Sequence, residues 1–251
     1  MKAFAVLAPS TCKRLIAKGV AAHPTVREAI EGGTVVVTLG TTNAFVAAEL
    51  ASGAIDHGTF AAGLIDDRWN LNARIAEARD VVFQRGEQVS IESDELLQSL
   101  GAGDVIVKGG NALDPFGTVG VLLGAENGGT IGRYIPTAMA RGIEIVIPIS
   151  VGKSVHSPIQ RIVRDLGSRR LELGDGLPCG MFPLSGDVVS EIEALEILFG
   201  IRATHVASGG IGMGRGSVSL TFEGDANDVR AAFDLLRRLK KEPEPLVKGR
   251  P

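Results

Sequence analysis

The sequence predicts an α/β protein in which a three-layer, mostly parallel sheet is followed by a second, smaller ferredoxin-like α+β domain. Strand-like and helix-like segments alternate along the first half of the chain. Several strand-like segments are continuous apolar runs, such as TVVVTL at 34–39, which is the pattern that burial on both faces of a sheet requires. After residue 181 the order changes to β-α-β-β-α, which is most of a ferredoxin-like motif.

The first predicted domain covers residues 1–155. Its first strand is the apolar run AFAVLA at 3–8, and a helix at 11–31 is interrupted at Pro24, because proline lacks an N–H donor and clashes with the preceding turn. SDELLQSL at 93–100 is predicted to be helical because acidic residues fill its first turn. The remaining predicted elements are strands at 34–39, 81–84, 104–107, 119–123 and 143–149 and helices at 42–50 and 133–141.

A linker rich in proline and charge is expected at 156–180, and the second domain covers 181–251. A Pro- and charge-rich tail from Glu242 is expected to be loose, with 246–247 as a candidate final strand. The predicted elements are strands at 181–184, 203–207 and 217–222 and helices at 187–199 and 225–239. The first of these helices has apolar residues at i, i+4, i+7 and i+11, which predict that one stripe faces the sheet: Val188, Ile192, Leu195 and Phe199.

Composition argues against several classes of function. The 251 residues carry a net charge of −3 and only 4% aromatic residues, so no surface for nucleic acid is expected. Cys12 and Cys179 are too few for a disulfide framework or a zinc motif, which favours a reducing, cytoplasmic setting. The four histidines are scattered, and the N-terminal apolar run is too short for a signal peptide or a membrane span. No metal, cofactor or membrane partner is therefore predicted.

The turn GTTN, Gly40-Thr41-Thr42-Asn43, lies between a predicted buried strand and a predicted helix. The first N–H groups of a helix lack intrahelical partners and carry partial positive charge, so an anion binds there readily. In open α/β sheets, ligands bind at the carboxyl ends of parallel strands, where this turn is expected to lie. The alternative is that a threonine simply caps the helix.

Two stretches together resemble the superfamily of ribose-5-phosphate isomerases, glucosamine-6-phosphate deaminases and CoA-transferases, and most of all the sugar-phosphate sensor domains of DeoR-type regulators. They are TCKRLIAKGVA…GGTVVVTLGTTNAFVAAEL and DVIVKGGNALDPFGTVGVLLGAENGGTIGRYIPTAMARGIEIVIPISVGKS, at about 11–50 and 104–154. The resemblance implies that the 40–43 turn holds phosphate and that Asp114 matches a catalytic loop. The other ligand-binding residues that it implies are Lys108, Gly109, Gly110 and Lys153.

The loop GAENGG after the strand at 119–123 resembles the glutamate-containing loop of class I CoA-transferases. That resemblance implies that Glu126 is an acyl-accepting nucleophile, which must be desolvated to react. Asn127, Gly128 and Gly129 would then stabilise the oxyanion. The alternative is that Asn127-Gly128 is a tight turn and that Glu126 is solvated.

The predicted function is binding of a phosphorylated sugar or a CoA-like molecule at the carboxyl edge of a parallel sheet, in a protein expected to be a homo-oligomer. Isomerase and acyl or CoA transferase are the reactions that the resemblance implies. The alternative is a non-catalytic ligand-binding or oligomerisation module, because the sequence offers no clear acid–base pair. Turnover assays separate the two.

Overall fold

The structure, a computed structural model, describes residues 1–51, 55–60, 62–65, 70–74 and 79–243, with the backbone alone for 62–65 and 70–74. The strands are β1 (Lys2–Leu7), β2 (Thr34–Val37), β3 (Ala62–Ile65), β4 (Asn70–Arg74), β5 (Val81–Gln84), β6 (Glu87–Val89), β7 (Val105–Val107), β8 (Ala112–Leu113), β9 (Val119–Leu123), β10 (Glu144–Pro148), β11 (Gly180–Leu184), β12 (Asp187–Val189), β13 (Arg202–Gly209) and β14 (Ser217–Glu223). The helices are α1 (Pro9–Ala22), α2 (Pro24–Gly32), α3 (Thr41–Leu50), α4 (Ser93–Ser99), α5 (Gly129–Arg141), α6 (Ile159–Asp165), α7 (Glu191–Phe199) and α8 (Ala226–Leu239).

The largest sheet has six strands in the order β12-β10-β7-β2-β5-β6. Strands β12, β10, β7 and β2 are parallel, whereas β5 and β6 are each antiparallel to their neighbours. Both β2 (TVVV) and β7 (VIV) are fully buried, as continuous β-branched runs predict. The α/β class is therefore confirmed, with one mixed sheet at its centre.

Successive side chains of a strand point to opposite faces of a sheet, so each buried strand needs helices packed on both faces. Val35 and Val37 join a large core that includes α1, α2 and α3, whereas Val36 joins a second core with α4 and α5. The apolar run of β2 thus supplies two cores at once, which explains why it contains no polar alternation.

A second, antiparallel sheet in the order β1-β14-β13 brings the two ends of the chain together. The buried residues of β14, Val218, Leu220 and Phe222, share the large core with α7 and α8. The predicted strands and helix of this region are present, but their ferredoxin-like arrangement is not confirmed. The run at 3–8, expected in the first domain, forms the edge of this sheet.

The third sheet has the order β11-β9-β8 and is antiparallel. It corrects two expectations: 119–123 is not a strand of the parallel sheet, and 181–184 does not begin the ferredoxin-like unit. An apolar run indicates that a strand is buried, but the partner strand depends on contacts far away in the sequence.

The predicted helix at 187–199 consists of two elements, β12 and α7. Ser190 separates them, because its hydroxyl accepts the Ile192 N–H (3.1 Å) while its own N–H donates to the Glu193 carboxylate (2.8 Å). Val188 is consequently a strand residue in the six-stranded sheet, not the first member of the predicted helical stripe.

The expected division of the chain at 156–180 does not match the strand order. β1 belongs with the last strands, β11 and β12 complete sheets built from the first part, and one core contains residues from α1, α3, β14 and α8.

The tail from 244, with the candidate strand at 246–247, lies outside the described residues. Among the described helices, none combines the length and the apolarity that crossing a lipid bilayer requires.

Candidate functional site

The loops that follow β2, β7, β10 and β12 lie at one edge of the six-stranded sheet, where the four parallel strands end. Hydrogen bonding between strands continues past their last residues. The Thr38 N–H donates to the Val107 carbonyl (3.1 Å), and the Lys108 N–H donates to the Val146 carbonyl (3.0 Å). The residues just beyond the strands are therefore held side by side.

Helix α3 begins at this edge, directly after Gly40. Gly40 donates its N–H to the Phe60 carbonyl (3.1 Å) and accepts the Ala44 N–H (2.9 Å), which closes the first helical turn. Within the described part of the chain, the N–H groups of 41–43 form no hydrogen bond, and no side chain caps the helix. These groups are the donors through which a helix N-terminus binds an anion.

Asn43 connects β2 to β7 through its side-chain amide. Its Nδ2 donates to the carbonyl oxygens of Thr38 (2.8 Å) and Val107 (3.2 Å). The side chain is fully buried, and its Oδ1 has no hydrogen-bond partner among the described residues. A Cβ built at Gly109 would lie 3.3 Å from this oxygen, so a side chain at 109 would crowd Asn43 where the two loops approach each other.

Two lysine amines meet beyond the ends of β7 and β10. Lys108 Nζ donates to the Gly109 carbonyl (3.0 Å), and Lys153 Nζ donates to the Gly110 carbonyl (2.7 Å). Because these two carbonyls belong to neighbouring residues, the amines lie close together. Burial, followed by the charge of Lys153, lowers the pKa of Lys108 from 10.5 to about 8.

Lys13, on α1, adds a third positive charge at this edge. Burial, followed by the charge of Lys13, lowers the pKa of Lys153 from 10.5 to about 8. Lys13, Lys108 and Lys153 are called the lysine cluster below. Lys108 and Lys153 are half-buried, so an anion bound beside their amines would meet charges that water screens only in part.

Glu191, the first residue of α7, is a fully buried carboxylate at the same edge. It accepts the Ser150 hydroxyl (2.5 Å) and the Val151 N–H (2.9 Å), and its charge favours the protonated form of Lys153. Burial, followed by the charge of Glu191, raises the pKa of the Cys12 thiol. The charge of Glu191 thus acts on Lys153, and Cys12 is held as an unreactive thiol.

Asp80 lies beside the end of β2 and is largely buried. Its Oδ1 accepts the Leu39 N–H (3.0 Å), and its Oδ2 accepts the Tyr134 hydroxyl (2.8 Å). Arg133 Nη1 lies 3.8 Å from Oδ2. The charge of Asp80 opposes the lowering of the Lys108 pKa, which places this carboxylate in the electrostatic neighbourhood of the lysine cluster.

The loop that carries Glu126 and Asn127 belongs to the third sheet, because it follows β9. The Glu126 carboxylate is 76% exposed and pairs with Arg169, whose side chain is 85% exposed, at 2.8 Å. Asn127 Oδ1 accepts the Gly129 N–H (3.0 Å) at the start of α5, and Gly128 adopts a left-handed conformation there (φ 77°). In this structure the loop begins a helix, and Glu126 lacks the shielding from water that acyl transfer requires.

Asp114 organises the turn between β8 and β9 and reaches α6. Its carboxylate accepts the N–H groups of Phe116 (2.9 Å), Thr118 (2.8 Å) and Ile159 (3.0 Å). Burial alone would raise the pKa of Asp114, but these hydrogen bonds outweigh it and hold the pKa below the usual value. All of these contacts are to backbone groups of the chain, which is the pattern of a structural carboxylate.

The structure brings together Gly40, Thr41, Thr42, Asn43, Lys108, Gly109, Gly110 and Lys153 from the predicted set. Glu126 is exposed in the loop after β9, and Asp114 lies in the turn after β8, where it binds backbone N–H groups although its neighbour Leu113 forms a bridge with Ser154 beside Lys153. Sequence reasoning missed Lys13, Asp80, Ser150 and Glu191. Ser150 carried a usable signal, since a hydroxyl directly after a buried parallel strand lies at the ligand edge. Glu191 carried none, because its position depends on the strand β12 that the sequence concealed.

No group of three or more His, Cys, Asp or Glu side chains in the described ranges is placed to hold a metal ion.

No protein-family model matches the chain, and neither a curated protein nor a solved structure matches it at a significant level. The resemblance to the sugar-phosphate superfamily therefore stays a prediction, and the chemistry of this site rests on its geometry.

Proposed function

We propose that the protein binds a small anionic molecule, carrying a phosphate or a carboxylate, at the carboxyl edge of its six-stranded sheet. The observation that carries the proposal is the convergence of the lysine cluster on the edge where the N–H groups of Thr41, Thr42 and Asn43 have no partner within the described chain. Phosphorylated sugars are the first class to test, and CoA-like molecules are the second.

Electrostatics favour an anion over a neutral ligand at this edge. Two like charges 4 Å apart repel by about 4 kcal/mol at the effective dielectric constant of a protein surface. In the free protein the charge of Glu191 offsets part of that repulsion at Lys153, and its two oxygens also accept hydrogen bonds from Ser150 and Val151. An anion bound between the amines would replace repulsion with attraction and would also satisfy the helix donors.

The proposal does not include turnover by Glu126 or Asp114. The first is exposed on the surface, and the second is occupied by backbone N–H groups. Their positions favour the alternative of a non-catalytic binding module over acyl transfer at Glu126 or proton transfer at Asp114.

The test is isothermal calorimetry with inorganic phosphate, ribose 5-phosphate and an acyl-CoA. Lys153→Met removes one amine of the cluster and should weaken binding about tenfold or more, since a hydrogen bond to a charged group contributes about 1.5–3 kcal/mol. Lys241→Met, an exposed lysine after α8, is the matched control and should leave the affinity unchanged. Absence of binding by the wild type for all three ligands, or equal affinity in the Lys153 variant, would refute the proposal.

A further inference from the structure

Lys108 occupies a different environment from the other two members of the lysine cluster. The charge of Glu191 favours the protonated form of Lys153, and Lys13 lies on helix α1, outside the sheet. Lys108 directly follows the parallel strand β7, its side chain is half-buried, and its Nζ donates to the Gly109 carbonyl (3.0 Å) beside the carbonyl that Lys153 Nζ contacts. After burial, the charge of Lys153 is the largest effect that lowers the pKa of Lys108. A lysine placed against a second cation in a partly desolvated site is the arrangement that frees an amine to act as a nucleophile.

We propose that Lys108 forms an imine with an aldehyde or ketone that also carries a phosphate or carboxylate, while Lys153 and the N-terminus of α3 hold the anionic group. This inference rests on the proposed anion-binding function and names its substrate class. The anion fixes one end of the molecule, and the carbonyl group is thereby presented to the amine beyond the end of β7.

The chemistry is balanced by water and protons alone. The neutral amine of Lys108 adds through its lone pair to the carbonyl carbon, and the carbonyl oxygen takes up a proton to give a carbinolamine. Nitrogen then loses its remaining protons while the hydroxyl leaves as water, so that one amine and one carbonyl compound give one imine and one water. No oxidant, reductant or metal is required.

The groups that surround Lys108 fit this sequence. The ammonium of Lys153 disfavours a second positive charge, and the lowered pKa of about 8 for Lys108 leaves a usable fraction of neutral amine near neutral pH. Asp80 is the carboxylate whose charge reaches Lys108, and it is held by the Tyr134 hydroxyl and the Leu39 N–H.

The inference is tested by trapping the imine in the full-length protein. Pyridoxal 5′-phosphate, an aldehyde with a phosphate group, serves as the probe, and borohydride converts its imine to a stable secondary amine that mass spectrometry maps to a residue. Labelling should concentrate on Lys108 and should be suppressed by an excess of inorganic phosphate. Lys2, which is 64% exposed and pairs with Glu223, is the internal reference for ordinary surface labelling.

Two variants sharpen the test. Lys108→Arg keeps the positive charge but has no amine that can form an imine, so it should abolish the trapped adduct at this site. Lys241→Arg should leave the adduct at Lys108 as it is in the wild type. Circular dichroism checks that each variant is folded, and the phosphate competition in the wild type decides the question by itself if Lys108→Arg does not fold.

Failure of the inference and failure of the proposed function give different results. Phosphate binding by calorimetry with labelling confined to Lys2 and other exposed lysines, or with labelling of Lys153 in place of Lys108, would overturn the imine at Lys108 and leave anion binding intact. No phosphate binding, together with labelling that phosphate does not suppress, would overturn both.

Discussion

Thr42, the second residue of α3, is the side chain at the helix N-terminus that combines burial with a hydroxyl close to the unpartnered N–H groups. Thr42→Val keeps the shape of the side chain and removes the hydroxyl. If the hydroxyl contacts the bound anion, the affinity should fall roughly tenfold or more, because a hydrogen bond to a charged group contributes about 1.5–3 kcal/mol. Calorimetry with ribose 5-phosphate measures this, and Thr204→Val on exposed β13 is the control that should bind as the wild type does.

The lysine cluster makes binding and stability depend on pH in opposite directions. Lys108 and Lys153 have folded-state pKa values of about 8, below their usual 10.5, with Lys13, Glu191 and Asp80 as the other charged groups acting on them. Between pH 8 and 10.5 the unfolded chain binds more protons than the folded protein does. The free energy of unfolding should therefore rise with pH from about 8 towards 10.5. An anion favours the protonated amines, so its affinity should fall over the same interval.

Calorimetry and urea unfolding at pH 7, 8, 9 and 10 check this pair of trends. The double variant Lys108→Met/Lys153→Met should flatten the stability trend, because the groups that titrate are gone. Affinity that is constant or rises between pH 8 and 10 would contradict charged lysines as the binding groups.

Single residues of the site were predictable where their position depends on local sequence. Lys108 and the 40–43 turn directly follow buried runs of β-branched residues, so the end of the strand could be located within one or two positions. Asp80 precedes a short strand whose antiparallel pairing with β2 the sequence does not reveal. Lys13 lies on a helix whose packing against the sheet edge depends on the whole fold.

The packing of α1 against α7 depends on a close approach at Gly19. A Cβ built at Gly19 would lie 2.6 Å from Ala194 Cβ and 2.7 Å from Ala194 Cα, distances that real Cβ atoms do not show. Gly19→Ala should therefore destabilise the protein by about 1–3 kcal/mol through overpacking, despite the better helix propensity of alanine.

Gly32, the last residue of α2, is the matched control, since no atom lies within 4 Å of a Cβ built there. Gly32→Ala should be neutral or stabilising by roughly 0.5–1 kcal/mol, because alanine loses less conformational freedom in a helix. Urea unfolding compares the two variants. Equal midpoints for Gly19→Ala and the wild type would show that the α1–α7 contact can open without cost.

Element positions were largely predictable, and the exceptions have a physical reason. Helix α8 shows a strong apolar stripe and strand β14 alternates buried with half-buried residues, so both have a periodicity that local sequence displays. DVVSEIEALEILF hid a three-residue strand before a helix, because the apolar residues of β12 continue the helical spacing of α7. The capping serine at 190 was the signal that separated them.

The whole molecule is expected to unfold as a unit, because its largest core includes side chains from the first strand to the last helix. A fragment of residues 1–155 lacks β12, α7 and β14, which supply buried members of that core such as Val189, Leu195 and Leu220. It should show no dispersed amide spectrum and no sigmoidal urea transition, whereas the full chain should show both. A fragment with native-like dispersion would restore the predicted division into two domains.

Topology was the level at which sequence reasoning failed. Apolar runs indicate that a strand is buried, but β1 pairs with β14 and β9 pairs with β11, in each case across a long stretch of the chain and outside the six-stranded sheet. Pairing across such distances depends on which apolar surfaces remain uncovered once the local elements have formed. The hydrophobic periodicity of a segment does not identify its partner strand.

The pairing of Lys2 with Glu223 also determines when this fold can be completed on the ribosome. The first strand leaves the exit tunnel long before its partner is synthesised, and at roughly 5–20 residues per second the delay is on the order of 10–40 s. During translation β1 has no neighbouring strand and its side chains that are buried in the folded protein, Ala5 and Leu7, are uncovered, which makes it a substrate for chaperones that hold nascent chains. Ribosome-bound chains stalled before residue 217 should leave residues 2–7 open to protease, and release of the finished chain should protect them.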